Sequence, residues 1–265
     1  TQTLRDWLAK RPAPAGAPAR GWVVFFHGCA GGYFEAEAAR CAIEVLEHLG
    51  YGVLVPDQGC CGLAEQSNGL FEQASASVRR LVAQLRGAGE GLTIVSTAGS
   101  CGGMLKHEAH EILGLDDPDL LDVGARTRDI SEFLMELHDA GELPTDFAPI
   151  ELRLPYHQPC QVRSQGMGMP SADLLRLIPG LEVLESGAAC CGIAGTYGLK
   201  KEKYDIAQAV GRPLFDMVQS THQGLVACDT ETCRWQIAKS TGVRTVHPIQ
   251  LVHQAYGLGR VQVPR

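Results

Sequence analysis

Nine of the ten cysteines in this 265-residue chain fall into two sets with the same internal order. The first set is Cys29, the adjacent pair Cys60-Cys61 followed by Gly62, and Cys101. The second is Cys160, the pair Cys190-Cys191 followed by Gly192, and then Cys228 and Cys233. Corresponding cysteines stand about 130 residues apart throughout, a regularity that chance does not produce. Four thiolates suit either a [4Fe-4S] cluster or a closed zinc site, and ligand softness does not separate the two. The second set offers a fifth thiolate, more than tetrahedral zinc uses, and this favours an iron-sulfur cluster, one in the second half and a further one in the first. Disulfides explain the cysteines poorly, because adjacent cysteines are strained partners and a chain of this length builds an ordinary core without staples. A metal role in a reducing compartment is the better reading.

Those cysteines need elements that bring distant positions together. In the first half, Gly21-Trp-Val-Val-Phe-Phe26 runs into Cys29, Tyr51-Gly-Val-Leu-Val55 precedes Cys60, and Leu92-Thr-Ile-Val95 precedes Cys101. In the second, Glu151-Leu-Arg-Leu-Pro-Tyr156 runs into Cys160, Leu181-Glu-Val-Leu184 precedes Cys190, and Leu225-Val-Ala227 precedes Cys228 and Cys233. Helical periodicity lies between them: Ala38, Ala42, Val45, Leu46 and Leu49 share one helix face, and Val78, Leu81, Val82 and Leu85 another. Alternating strand and helix predict an α/β fold of two lobes related by a pseudo-twofold axis, each a mostly parallel sheet covered by helices with right-handed crossovers. Ligands bind at the carboxyl edge of such sheets, where all these cysteines would converge. The expected division is a linker over 1–20, a first domain over 21–148 and a second over 149–265.

Bulk properties narrow the partners. A net charge of -7 and the absence of clustered Lys and Arg argue against nucleic acid. The longest strongly apolar run, Trp22 to Phe26, is far short of the roughly 20 residues of a membrane span, and no signal peptide is read. No dinucleotide fingerprint or Walker motif is present, which predicts no nucleotide.

The spacing of Cys, then Cys-Cys-Gly, then a terminal cysteine group resembles the twice-repeated cysteine-rich CCG domain. That domain occurs in the B subunits of heterodisulfide reductases, in iron-sulfur subunits of glycolate and lactate oxidation, and in the C subunits of anaerobic glycerol-3-phosphate dehydrogenases. The likeness to the last group extends from Phe25 to about Tyr256. It is carried by Phe26-His-Gly-Cys29, Tyr156-His-Gln-Pro-Cys160, Cys190-Cys-Gly-Ile-Ala-Gly-Thr-Tyr-Gly-Leu-Lys-Lys201, Glu231-Thr-Cys-Arg-Trp-Gln-Ile237 and His247-Pro-Ile249.

The resemblance implies a non-catalytic electron-transfer subunit of an oxidoreductase complex. It would take electrons from a flavin-containing dehydrogenase subunit, with a ferredoxin-like iron-sulfur module in the path, and pass them toward menaquinone or another quinone, from a cytoplasmic position peripheral to the inner face of the cell membrane. It implies cluster ligation by Cys29, Cys60, Cys61, Cys101, Cys160, Cys190, Cys191, Cys228 and Cys233. Two alternatives stay open: a heterodisulfide-reductase-like catalytic subunit that cleaves a disulfide at a cluster, and a zinc-bound assembly scaffold. In the heterodisulfide relatives each full motif holds a noncubane cluster on five cysteines, and this chain departs from that pattern twice. Met104 stands where the first motif would end in cysteine, which leaves that lobe open to a four-thiolate cubane or to an empty structural role, and Thr230 stands where the second would open its closing Cys-x-x-Cys, with Cys228 two residues earlier as the compensating thiol.

Other residues near the ligands have defined expectations. His27 and His157 precede the first cysteine of each set at matching positions, where an N-H can tune a cluster sulfur. Tyr197 and Trp235 are expected to shield a cluster or line a substrate pocket, Lys200, Lys201 and Lys203 to form a solvated face, and Cys41 to be plain core.

Overall fold

The computed structural model describes residues 2–11 and 17–261. Strands β1 (Trp22–Phe26), β2 (Gly52–Leu54), β3 (Ile94–Ser96) and β4 (Thr127–Asp129) form one sheet in the order β2-β1-β3-β4. Strands β5 (Leu152–His157), β6 (Leu181–Glu185), β7 (Leu225–Cys228) and β8 (Arg244–Val246) form a second in the order β6-β5-β7-β8. Every recorded strand pairing is parallel, and the two sheets have the same connectivity, so the expected two-lobed α/β architecture is present.

The central strands are apolar without alternation because both of their faces are buried. In β1, Val23 and Phe25 face one core while Val24 and Phe26 face another. The Val24 and Phe26 side is covered by the helix Phe71–Ala88, which turns Val78, Leu81, Val82 and Leu85 inward, each burial contributing about 1.5–3 kcal/mol. The corresponding side of the second sheet is covered by Tyr204–Ser220 and Glu231–Thr241, with Leu214, Val218, Val226 and Ile237 in the core between them.

The remaining faces of the two sheets share a single core. Val23, Phe25, Leu46 and Leu134 of the first lobe belong to the same buried cluster as Leu154, Tyr156, Leu175, Leu225 and Val252 of the second. Two helix pairs fill it: Ala36–His48 packs on Pro248–Ala255, and Ile130–Asp139 packs on Pro170–Arg176. The helices after β4 and β8 are both set by capping boxes, Asp129 with Glu132 and His247 with Gln250. Cys41 lies in this core, as a small apolar side chain.

The opening stretch differs from the linker expected over 1–20. Leu4–Lys10 is helical, with Thr3 and Asp6 forming a capping box and Leu4 buried in the shared core. Leu4, Trp7 and Leu8 fall at helical spacing on one face, and Arg11 lies over the Trp7 ring and bonds Glu47, which holds the turn to the first lobe. Residues 12–16 of the Pro- and Ala-rich part lie outside the described residues.

Candidate metal centres at one crevice

Each lobe brings thiols from three strand ends to the carboxyl edge of its sheet. Cys29 lies in the short helix Gly28–Tyr33 after β1, Cys60 and Cys61 in the loop after β2, and Cys101 in the helix Gly99–Gly103 after β3. Cys160 opens the helix Cys160–Arg163 after β5, Cys190 and Cys191 follow β6, Cys228 ends β7, and Cys233 lies in Glu231–Thr241.

The Cys-Cys-Gly turns are alike in both lobes. Gly62 and Gly192 adopt φ of 84° and 88°, where an L side chain is strained. A Cβ at Gly62 would meet the Ala74 carbonyl oxygen at 2.7 Å, and one at Gly192 would meet the Ala207 carbonyl oxygen at 2.0 Å. The turn aims each glycine N–H at the first sulfur of its pair, Gly62 donating to Cys60 Sγ at 3.4 Å and Gly192 to Cys190 Sγ at 3.2 Å.

In the second lobe Cys191 and Cys233 Sγ are 3.1 Å apart, and in both lobes the thiols lie near enough to shift one another's acidity. Cys60 is held far below the usual thiol range by donation from Cys29 and Cys61 and then from Gly62. Cys190 is lowered in the same way by Cys160 and Cys191 and then by Gly192. Cys29 and Cys160 move up, first because each donates to that neighbour and then through burial. One thiolate per lobe therefore forms readily, and metal binding would displace the remaining protons. Among the described residues no three His, Cys, Asp or Glu side chains are disposed to hold a single ion.

Four thiols of each lobe face one crevice of about 610 Å³ between the lobes, Cys29, Cys60, Cys61 and Cys101 on one side and Cys160, Cys190, Cys191 and Cys233 on the other. Tyr197 and Trp235 line it too, and Trp235 meets Phe34 of the first lobe edge-on with centroids 6.1 Å apart. Lys200 and Lys201 are exposed outside it, and Lys203 lies over the Tyr197 ring. Cys228 stands apart: it is fully buried in the outer core of the second lobe and does not line the crevice.

Strand register corrects two expectations about equivalence. Phe26 pairs with Ser96 in the first lobe, and His157 pairs with Cys228 in the second, with the first cysteine three residues beyond Phe26 and His157 respectively. Phe26 and His157 are therefore counterparts, and His27 is one residue out of step. His27 Nδ1 lies 2.6 Å from the Gly28 carbonyl, whereas His157 is fully buried with Nδ1 3.0 Å from Ser186 Oγ and Nε2 unpartnered. Burial lowers both, His157 to about 4, so both are neutral. The same register aligns Ser96 with Cys228, Ala98 with Thr230 and Cys101 with Cys233. The position lacking a cysteine in the first lobe is thus Ala98, which lines the crevice. Met104 is an ordinary core residue in the π-helical turn Met104–Glu108, packed in the cluster that holds Val24 and Phe26.

The lobes are joined around the thiols by groups that spacing alone does not reveal. Fully buried Arg234 donates through Nε to Glu35 Oε2 at 2.9 Å and through Nη1 to the Cys228 and Asp229 carbonyls at 2.8 and 2.9 Å. Asp229 accepts from Tyr156 Oη at 2.8 Å and from Ser171, whose hydroxyl is 2.8 Å from that of Ser131. Asp129 is buried nearby with Oδ2 unpartnered, and burial, then the Asp229 charge, pushes it up to about 7. An arginine directly after a ligand-type cysteine was the available clue to the first of these. The acids become visible only once β4 and β7 are placed.

The family model for the cysteine-rich domain, CCG, matches residues 23–106 and 154–238, one match in each lobe. The C subunit of anaerobic glycerol-3-phosphate dehydrogenase from Escherichia coli (strain K12) is 38% identical over 258 residues, covering 96% of this chain and 63% of the relative. The B subunit of fumarate reductase (CoM/CoB) from Methanothermobacter marburgensis is 30% identical over 243 residues, 88% of this chain and 46% of the relative. Lactate utilization protein A from Bacillus licheniformis is 28% identical over 244 residues, 88% of this chain and 97% of the relative. The chain thus spans less than two thirds of the length of the first two relatives.

Proposed function

Since this chain belongs to the CCG cysteine-rich domain family, we propose that it is an iron-sulfur electron-transfer subunit of an anaerobic respiratory dehydrogenase of the glycerol-3-phosphate type. The observation that carries this is the convergence, in both lobes, of four thiols from three strand ends on one crevice. Soft thiolates in that number fit a [4Fe-4S] cluster, which when bound supplies one-electron redox chemistry. The protein's own part is to hold and tune. Cys29, Cys60, Cys61 and Cys101 would serve one centre and Cys160, Cys190, Cys191 and Cys233 the other. The Gly62 and Gly192 N–H groups donate to sulfur and offset its negative charge. Tyr197 and Trp235 would keep water off the crevice wall, and neutral His157, which feels the Cys190 charge, would tune the second centre.

In this reading electrons arrive from a flavin-containing dehydrogenase subunit, pass a ferredoxin-like module and leave toward menaquinone or another quinone, at the inner face of the cell membrane. Among the described residues no helix is long and apolar enough to cross a membrane, so contact with quinone would use a partner subunit or an interfacial surface. The test is transfer itself. Anaerobic protein with its clusters, mixed with the flavin dehydrogenase subunits and glycerol 3-phosphate, should become reduced by EPR and be reoxidised by a menaquinone analogue. A cluster-bearing preparation that neither step touches would defeat this assignment.

A second reading draws on the crevice. At about 610 Å³ between two sets of thiols, it has room for a small disulfide substrate, as a heterodisulfide-reductase-like subunit needs. Turnover of a mixed disulfide by the cluster-bearing protein would favour that reading.

A further inference from the structure

The register of the two sheets bears on how many centres there are and of what kind. Strand ends align Cys29 with Cys160, Cys60 and Cys61 with Cys190 and Cys191, and Cys101 with Cys233. All eight line the crevice, four from each lobe. The fifth position of a closing Cys-x-x-Cys is missing at the same place in both, Ala98 in one lobe and Thr230 in the other, and both of these residues line the crevice.

Cys228 does not replace it. Its counterpart is Ser96, a strand-end residue whose Oγ accepts from the Ala98 N–H at 3.0 Å. Cys228 occupies the same strand-end place, with Sγ 3.9 Å from the Thr230 carbonyl oxygen. It lies in the same buried cluster as Cys233 and has no share of the crevice wall.

We infer that the two lobes are equivalent four-thiolate centres, each suited to a cubane-type [4Fe-4S] cluster, and that Cys228 is a buried core neighbour of Cys233, not a ligand. This rests on the iron-sulfur reading above and makes it quantitative. Neither lobe retains the five-thiolate set, and neither is an empty partner of the other.

The experiment is anaerobic purification or reconstitution of the chain, with iron, sulfide and zinc analysis and EPR of the reduced protein. The wild type should hold about eight iron and eight sulfide per chain. Cys60→Ser and Cys190→Ser should each remove about half of the iron and one of two spectral components. Cys228→Ser should keep the iron count. Ala98→Cys and Thr230→Cys should each alter the component of their own lobe alone.

About four iron with Cys60→Ser spectroscopically silent would overturn the equivalence and leave the electron carrier standing. Loss of iron from Cys228→Ser would overturn the four-thiolate assignment. Stoichiometric zinc without sulfide would overturn the iron-sulfur reading itself, and so be told apart. Circular dichroism and gel filtration identify any variant that fails to fold. In that event the wild-type iron count and the Cys228→Ser protein decide.

Discussion

The helices that carry the last thiol of each lobe occupy equivalent places and are made of opposite materials. Gly99-Ser-Cys-Gly-Gly103 is nearly bare, whereas Glu231-Thr-Cys-Arg-Trp235 is bulky and charged. The bare helix lets the other lobe come close: a Cβ on Gly99 would meet Val162 Cγ2 at 2.5 Å, and Gln165 donates to the Gly99 carbonyl at 2.9 Å. The bulky helix reaches out instead, through Arg234 to Glu35 and through Trp235 to Phe34. Each lobe's last-thiol helix therefore packs beside the segment carrying the other lobe's first thiol, Cys160 in one case and Cys29 in the other. Equivalent thiols need not have equivalent support: a duplicated arrangement keeps its cysteines while the contacts between the copies diverge.

The strongest way to break this comparison is to remove the charged arm. Arg234→Leu leaves Glu35 and two buried carbonyls without their donor and should cost about 3–5 kcal/mol in denaturant unfolding. The bare helix has Gly102 in the position of Arg234, so Gly102→Ala should cost much less, about 1 kcal/mol or below. Similar losses would show that the arm carries no special share.

The Cys-Cys-Gly turns sharpen it next. Gly192→Ala must fit a Cβ 2.0 Å from the Ala207 oxygen and Gly62→Ala one 2.7 Å from that of Ala74, both at positive φ. Both should destabilise, by about 2–4 and about 1–3 kcal/mol respectively, with the second-lobe variant the worse by thermal melting.

A pH effect should follow from Asp129, whose folded-state carboxyl is raised to about 7 from the ordinary 3.8. Between these values the folded protein binds more protons than the unfolded one, so its share of stability is full below about pH 4 and is lost as pH rises toward 7. Asp129→Asn keeps an oxygen for the Ser131 N–H that Asp129 caps at 2.8 Å and removes the charge. It should raise the unfolding free energy at pH 8, by about 1–3 kcal/mol, and leave it nearly unchanged at pH 4. An equal effect at both pH values would contradict the buried charge. The smallest change is expected from Cys228→Ser, which gives the second lobe the first lobe's Ser96 and should cost about 1 kcal/mol for a buried hydroxyl.

Much of this was legible in the chain. Repeated cysteine spacing and strand-helix alternation lead to two parallel sheets with thiols at their carboxyl edges, because a Cys-Cys-Gly turn after a strand admits few other placements. Residue type was the misleading guide. Matching histidine to histidine pairs His27 with His157, and reading Cys101 as the opening of a Cys-x-x-Cys makes Met104 a failed ligand, while counting from the cysteines and reading the strand ends both pair Phe26 with His157 and Ala98 with Thr230. The turns between strand and thiol are equal in the two lobes, three residues after Phe26 and His157 and five after Ser96 and Cys228, so the strand ends and the cysteine count agree. Arg234 and the buried acids were hidden for a related reason: their partners, Glu35 for one and Ser171 for another, lie far away in sequence.

The core between the lobes has a consequence for how the protein is made. Val23, Phe25 and Leu46 of the first lobe are enclosed only when Leu154, Leu225 and the helix Pro248–Ala255 arrive. During synthesis the first four thiols would leave the ribosome attached to a half-built layer, with Glu35 awaiting an arginine translated some 200 residues later. Loading of the proposed centres would then be an event of the folded pair of lobes, and a polypeptide cut between them should assemble neither set of thiols.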